Sequence, residues 1–354
     1  MRAIKNFRVL VVVATLVIIA VILLSLVKIF QATPPKAPEP SMALSKPRTI
    51  GVLFVRQSAD ALEGIKMGLK ELGYTNITFK EILMDSQTTI EDVENLTKKL
   101  VGEKVDLIYA TGESRAQGAI NATKEIRDDT PIVYLSNFHD PVAYGLAKSF
   151  ISSGNNATGV ARNIAKELER QLELLQKIKP GIKKIGVFGR GFVVQELGGE
   201  FLSELKGRAP KFGYEVIEYT TGATPPNTGV AFGATAAAIK PGDIDALYHI
   251  AGHFYSTQEV AETALAVRLR IPMVAPLEDL PSGGHFGYSG DFSIAGKQVA
   301  KMADKIFRGA NPRDIPLEYV EETLLVIYPV RARLAGVEFP GSVLEIADNI
   351  VNNR

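Results

Sequence analysis

Gly112-Glu113-Ser114-Arg115-Ala116 stands between an apolar run and a helical pattern, where a nucleophile elbow would present a serine. Asp279 and His285 follow it in the chain order of a serine–acid–histidine relay. Alanine replaces the motif's last glycine, however, and Asp279 and His285 stand too close to read as independent members. Ser114 therefore reads better as a helix-start residue, and a serine hydrolase is the remote alternative. His139, His249, His253 and His285 show no helical metal-binding spacing, although His249 and His253 straddle a strand end. Gly186, Gly189 and Gly191 follow a strand but miss the spacing of a dinucleotide loop, and no Walker A loop exists. The chain has no cysteine, which excludes disulfides, thiolate metal sites, thiol catalysis and a lipidated N-terminal cysteine. No nucleophile–base–orienter set survives, so the chain reads as a non-enzyme with no cofactor and no metal.

The same stretches offer binding chemistry. Arg56 and Gln57 follow an apolar run, and the arginine suits a ligand carboxylate. Thr111, Gly112 and Glu113 open a helix, whose first N–H groups favour an anion. Asn137 and Asp140 flank Phe138 and His139 in one polar, titratable turn. Further along, Phe192, His253, Phe254, Glu278 and Tyr288 occupy comparable places. Aromatic side chains in loops build walls for an apolar ligand body.

These residues need a scaffold that brings strand ends together, and the periodicity supplies one. Thr49–Val55 is a β-branched run, Leu62, Ile65, Leu69 and Leu72 repeat at helical spacing, and Gly73 stops that helix. Strand signals recur at Asn76–Ile82, Val105–Ala110 and Pro131–Leu135, with helical signals between them. This rhythm predicts a parallel sheet with helices on both faces. It then repeats at a nearly constant offset: Ile185–Phe188 answers Ile50–Leu53, Gly213-Tyr214 answers Gly73-Tyr74, Ile244–Tyr248 answers Val105–Tyr109, and Ile271–Val274 answers Thr130–Val133. The expected fold is α/β, with two similar doubly wound parallel-sheet lobes. In open sheets of this kind ligands bind outside the carboxyl ends of the strands. A ligand cleft between the lobes, closed by hinge motion, follows.

A length of 354 residues suits two lobes, and 46% apolar residues exclude a disordered chain. A net charge of +1 provides no field for nucleic acid. Arg2, Lys5 and Arg8 precede an apolar run from Val9 to Val27. At about 1.5 Å per residue that run is about 29 Å long as a helix, the thickness of a hydrocarbon core. A cleaved signal peptide would have a shorter core and small residues after it, whereas Lys28-Ile29-Phe30 follows here. Residues 1–30 thus read as an uncleaved transmembrane anchor, with the basic end cytoplasmic and the remainder outside. Residues 31–47 contain five prolines and read as an extended spacer. The expected division is 48–159 plus 286–312 for lobe one and 160–285 plus 313–354 for lobe two.

The stretches GIKMGLKELGY, VDLIYATG, PIVYLSNFHDPVAYGL, NNATGVAR and GYSGDFSIAGKQVAKMADKIFRG occur in this order. Their combination resembles the ABC-transporter substrate-binding proteins related to tryptophan- and tyrosine-uptake systems. The resemblance runs along almost all of the chain after the spacer. It implies a type 1 periplasmic-binding-protein fold, a small solute in the cleft, and a permease and an ATPase as membrane partners. Two features depart from the family's pattern. Many members are released or lipid-anchored, while this chain has a long apolar segment and no cysteine. An Asp-Asn pair common after the third strand of lobe two is replaced here by Gly252-His253-Phe254. A ligand ammonium would then depend on Glu113, Asp140, Glu278 or Asp291.

The expected function is extracytoplasmic capture of a small organic solute for an ABC importer, at the outer face of the cell membrane. An amino acid, aromatic or branched, or a related carboxylate leads the ligand classes. A membrane-tethered sensory module is the alternative, although only eight residues precede the apolar run.

Overall fold

The computed structural model describes residues 44–85, 88–191, 195–222, 228–250 and 258–352. The expected anchor, residues 1–30, lies outside them, as does most of the spacer. Among the described residues no helix is long and apolar enough to cross a membrane.

The chain from Pro47 onward alternates strand and helix. It begins with β1 (Arg48–Val55), α1 (Ala59–Glu71), β2 (Ile77–Met84), α2 (Ile90–Gly102), β3 (Leu107–Thr111), α3 (Glu113–Glu125), β4 (Ile132–Ser136) and β5 (Ala157–Ala161). Strands β3, β4 and β5 are buried throughout, as a sheet covered on both faces requires. Leu62, Ile65 and Leu69 form the buried stripe of α1. Thr89 and Asp92 close a capping box on α2.

The second half repeats this order with α4 (Ile164–Ile178), β6 (Lys184–Phe188), α5 (Gln195–Arg208), β7 (Glu215–Tyr219), α6 (Thr228–Ala238), β8 (Ala246–Tyr248), α7 (Gln258–Leu269), β9 (Met273–Val274) and β10 (Phe286–Gly290). Then come α8 (Phe292–Phe307), β11 (Glu318–Tyr319), β12 (Thr323–Ile327), α9 (Pro329–Leu334), α10 (Gly341–Leu344) and β13 (Asn349–Ile350). One sheet has the order β11-β5-β4-β3-β1-β2, the other β13-β12-β10-β9-β8-β6-β7. The first five strands of each half thus take the same places.

The repeat extends to contacts. Gly51 leaves room for Leu100, whose Cδ1 would stand 2.8 Å from an added Cβ, and Gly186 does the same for Ile244 at 2.6 Å. Asp106 accepts the Thr49 N–H at 2.8 Å, and Asp245 accepts the Lys184 N–H at 3.0 Å. Each aspartate stands just before the third strand of its half and ties it to the first.

Three short crossovers join the sheets: between β5 and α4, between β10 and α8, and between β11 and β12. Strand β5 runs parallel to β4, and β10 runs parallel to β9. The chain therefore leaves each sheet at its carboxyl edge, and both carboxyl edges adjoin the crossovers. The boundaries differ from the expected ones. Residues Phe286–Gly290 belong to the second sheet, where β10 pairs with β9 and, antiparallel, with β12. Only after Asp291 does the chain return, as α8 packs closely on α1. There Gly64 faces the Ser293 carbonyl and Gly296 faces the Ala61 carbonyl, with no room for a Cβ at either. Val160 and Ala161 remain in the first sheet, where they pair with Glu318 and Tyr319 of β11.

Candidate functional site

The carboxyl edge of the first sheet carries Arg56, Thr111, Gly112, Glu113, Asn137 and Asp140 within a few residues of strand ends. Arg56 is exposed directly after β1, and the Gln57 side chain lies outside the described residues. Thr111 ends β3 fully buried, its Oγ1 hydrogen-bonded to Ser58 Oγ at 2.9 Å. Gly112 then takes a φ of +79°, and no side chain caps α3 there. An added Cβ would meet Arg115 Nη2 at 2.5 Å, and Arg115 itself donates to the Thr111 carbonyl. The Gly112 N–H is itself taken by the Leu135 carbonyl at 2.7 Å, which ties the start of α3 to β4.

Glu113, an expected cleft residue, is bound into the loop after β4. It is 3% exposed, and its Oε1 accepts from Ser136 Oγ at 2.6 Å, Phe138 N at 2.8 Å and His139 N at 3.0 Å. Burial alone would push its carboxyl up. The His139 ring, with Nδ1 3.8 Å from Oε2, the Ser136 hydroxyl and the two N–H groups outweigh it and hold the carboxyl at about 2. Glu113 thus fixes the loop after β4, with its Oε1 already saturated. Asp140 likewise serves its own turn: Oδ1 accepts from Val142 N at 2.8 Å and Ala143 N at 2.9 Å. Asn137, held between these fixed points, is 5% exposed, and its Oδ1 has no hydrogen-bond partner among the described residues. It is an acceptor suited to a ligand N–H.

On the second lobe, Phe192, His253 and Phe254 lie outside the described residues. Glu278 is turned toward Arg162 Nη1 at 3.4 Å. Arg162, just past β5, is also held by Glu167, whose Oε2 lies 2.6 Å from Nη2. Glu167 Oε1 in turn accepts the Gly290 N–H at 2.9 Å. Glu278 therefore sits in a buried ion cluster at the crossovers. Burial and Asp279 push its carboxyl up, against the pull of Arg162. Tyr288 packs against the second-lobe core, and its hydroxyl bonds Thr323 Oγ1 at 2.6 Å, so it faces β12. Asp291 caps α8, accepting from Ile294 N at 2.8 Å.

The remote serine relay does not assemble. Asp279 Oδ2 lies 3.2 Å from His249 Nε2, while His285 accepts the Met273 N–H at Nδ1, 3.0 Å away. Burial and the Arg331 charge hold His285 at about 3, so its ring is neutral. His249 is the opposite case. Burial would lower it, but the charges of Glu262 and Asp279 raise it to about 10. Arg162, Glu167, Glu259 and Glu262 carry no motif in the sequence that sets them apart. Only the i, i+3 spacing of Glu259 and Glu262 on α7 signalled that two carboxylates share one helix face.

Phe138, Asp140, Arg162, Asn163, Glu204 and Arg208 line a cavity of about 230 Å³ beside the β5–α4 crossover. Its charged wall is internally paired, with Arg208 bonded to Glu204 at 2.9 Å and to Glu169 at 2.5 Å. The site as a whole offers positioned backbone donors, one buried amide acceptor and an exposed arginine, which is equipment for holding a small polar molecule.

Comparison with known proteins agrees with this architecture. A tyrosine-binding protein of Clostridioides difficile is 29% identical over 291 residues, which cover 80% of this chain and 79% of that protein. A conserved domain protein of Vibrio cholerae superposes with a TM-score of 0.70 at 23% identity, over 86% of this chain and all of the other. A Streptococcus pneumoniae ABC domain in complex with L-Trp gives 0.69 at 23% identity, with the same coverage. These two show the shared fold. The family model described as ABC transporter substrate binding protein matches residues 53–351, and the chain belongs to that family.

Proposed function

We propose that this protein is the extracytoplasmic solute-binding component of an ABC importer, and that it captures an aromatic amino acid or a related carboxylate between its lobes. The observation that carries this reading is the arrangement of both sheets with their carboxyl edges at the same three crossovers. Open sheets bind ligands outside the carboxyl ends of their strands, so this arrangement supports a ligand cleft between the lobes. The uncapped start of α3 at Gly112 suits a carboxylate, and Asn137 Oδ1 suits an ammonium or amide N–H. The tyrosine-binding relative and the L-Trp complex of the pneumococcal neighbour support an aromatic amino acid. Residues 1–30 would keep the protein at the outer face of the membrane, within reach of a permease that a cytoplasmic ATPase drives. No step of chemistry on the solute belongs to this role.

The chain contains no tryptophan, so added L-Trp is the sole indole in the sample. Its emission anisotropy should rise saturably on titration with protein, and L-Tyr should compete. Stabilisation by neutral sugars alone in a thermal-shift screen would overturn the amino-acid reading. N-terminal sequencing of protein taken from membranes tests the anchor, and a mature start near Ala32 or later refutes it.

A further inference from the structure

We propose that His249, Glu259 and Asp279 form a binding site for a divalent transition-metal ion on the second lobe, at the carboxyl ends of β8 and β9. His249 follows β8 and is fully buried, Glu259 lies in the first turn of α7, and Asp279 follows β9. His249 Nδ1 is bonded to the Glu262 carboxylate, which fixes the ring and directs Nε2 toward the other two acids. A carboxylate behind a histidine is the usual arrangement behind a metal-bound imidazole. From Nε2, Asp279 Oδ2 is 3.2 Å away and Glu259 Oε1 3.7 Å. A tetrahedral zinc ion with bonds of about 2.0 Å holds its ligand atoms about 3.3 Å apart. One ligand atom from each of the three residues lies within 4.8 Å of the others.

A second observation points the same way. Glu259 is 8% exposed, and its Oε2 meets no hydrogen-bond donor among the described residues. A buried carboxylate oxygen without a partner is costly unless a positive group serves it. Three carboxylates converge on one imidazole here, and a proton on that ring offsets only one of them. A dication in place of the Nε2 proton offsets two. Imidazole with two carboxylates suits zinc, manganese or iron(II) better than calcium or magnesium. Asp279, partly exposed, marks the side from which an ion would enter.

The test uses the untagged full-length chain with zinc as the probe. Equilibrium dialysis should show one Zn²⁺ retained per chain, and the melting temperature should rise with zinc. Glu259→Gln and Asp279→Asn should each weaken zinc binding at least tenfold. Cobalt(II) gives a second readout: a visible absorption band of tetrahedral character in the wild type, lost in Asp279→Asn. Circular dichroism confirms that each variant is folded before it is scored. Zinc retained equally by wild type and both folded variants would overturn the proposal, as would no zinc retained by the wild type. L-Trp binding by the wild type is measured separately, so failure of the zinc site leaves the solute-binding reading standing.

Discussion

Replacing Glu113 with Gln tests whether the loop after β4 is held by a buried charge. The carboxyl, ordinarily at 4.5, is held at about 2 by the donors that converge on it. A carboxyl depressed on folding stabilises the native state above its unfolded value and loses that contribution as pH falls through the folded value. The difference between 4.5 and about 2 corresponds to about 3 kcal/mol at neutral pH, an upper figure because it assigns the whole shift to the native state. Glutamine keeps the shape and one acceptor oxygen but not the charge. The variant should therefore be less stable than wild type by up to about 3 kcal/mol at pH 7, where removing a buried hydrogen-bonded charge is expected to cost this much. The gap should persist to about pH 5, narrow between pH 4.5 and 2, and nearly close at the acid end. Urea unfolding followed by far-UV circular dichroism at a series of pH values measures it. A gap near zero at pH 7, or one that stays constant from pH 7 to pH 3, would refute the account of Glu113 as a charged clamp.

Three further outcomes are expected. Asn137→Ala should weaken L-Trp binding about tenfold with little change in melting temperature, because it removes one acceptor from a ligand N–H; anisotropy titration checks this. Arg162→Met should destabilise the protein by about 3–5 kcal/mol in urea unfolding, because it leaves Glu167 and Glu278 buried without their counter-charge. Gly64→Ala should cost at least about 1–3 kcal/mol, since a Cβ there runs into the Ser293 backbone carbonyl, and α8 would have to move off α1; a thermal melt shows the loss.

Much of the scaffold was legible because parallel strands covered on both faces read as continuous apolar runs. Ile50–Leu53 and Ile185–Phe188 are such runs, and each became the second-from-edge strand of its parallel array. The boundary at Phe286 was not legible. The stretch Phe286-Gly287-Tyr288-Ser289-Gly290 has no periodicity that distinguishes one sheet from the other, and its place depends on distant partners in β9 and β12. The same limit applies to the site. Position after a strand found Thr111, Gly112 and Asn137, which do lie at the edge. It could not foresee the partners of Glu113, Glu278 and Tyr288, because these depend on which distant groups converge on them. Ser136 and the Phe138 N–H claim Glu113, Arg162 claims Glu278, and Thr323 claims Tyr288.

The cluster around Arg162 ties the crossovers to the second lobe. Arg162 is the first residue beyond β5, yet its guanidinium is held by Glu167 of α4 and Glu278 after β9. The same Glu167 carboxylate takes the Gly290 N–H at the end of β10. Two of the three crossovers are thereby clamped to one buried carboxylate on the second-lobe side. On the first-lobe side the Val320 N–H reaches the Ala161 carbonyl at 2.9 Å, which fixes the third crossover at its start. In the binding role proposed above, bending would fall in the three crossovers, two of which are also tied to each other by the Asp291 N–H and the Glu322 carbonyl at 3.2 Å. The buried ion cluster then serves hinge placement more than stability, since apolar residues of similar volume could fill that space at no loss. An Arg162→Met, Glu167→Leu, Glu278→Leu triple variant separates the two roles. It should recover most of the stability lost in Arg162→Met, while L-Trp binding stays weakened because the rotation point is no longer fixed. Full recovery of both stability and affinity would show that the cluster only fills space.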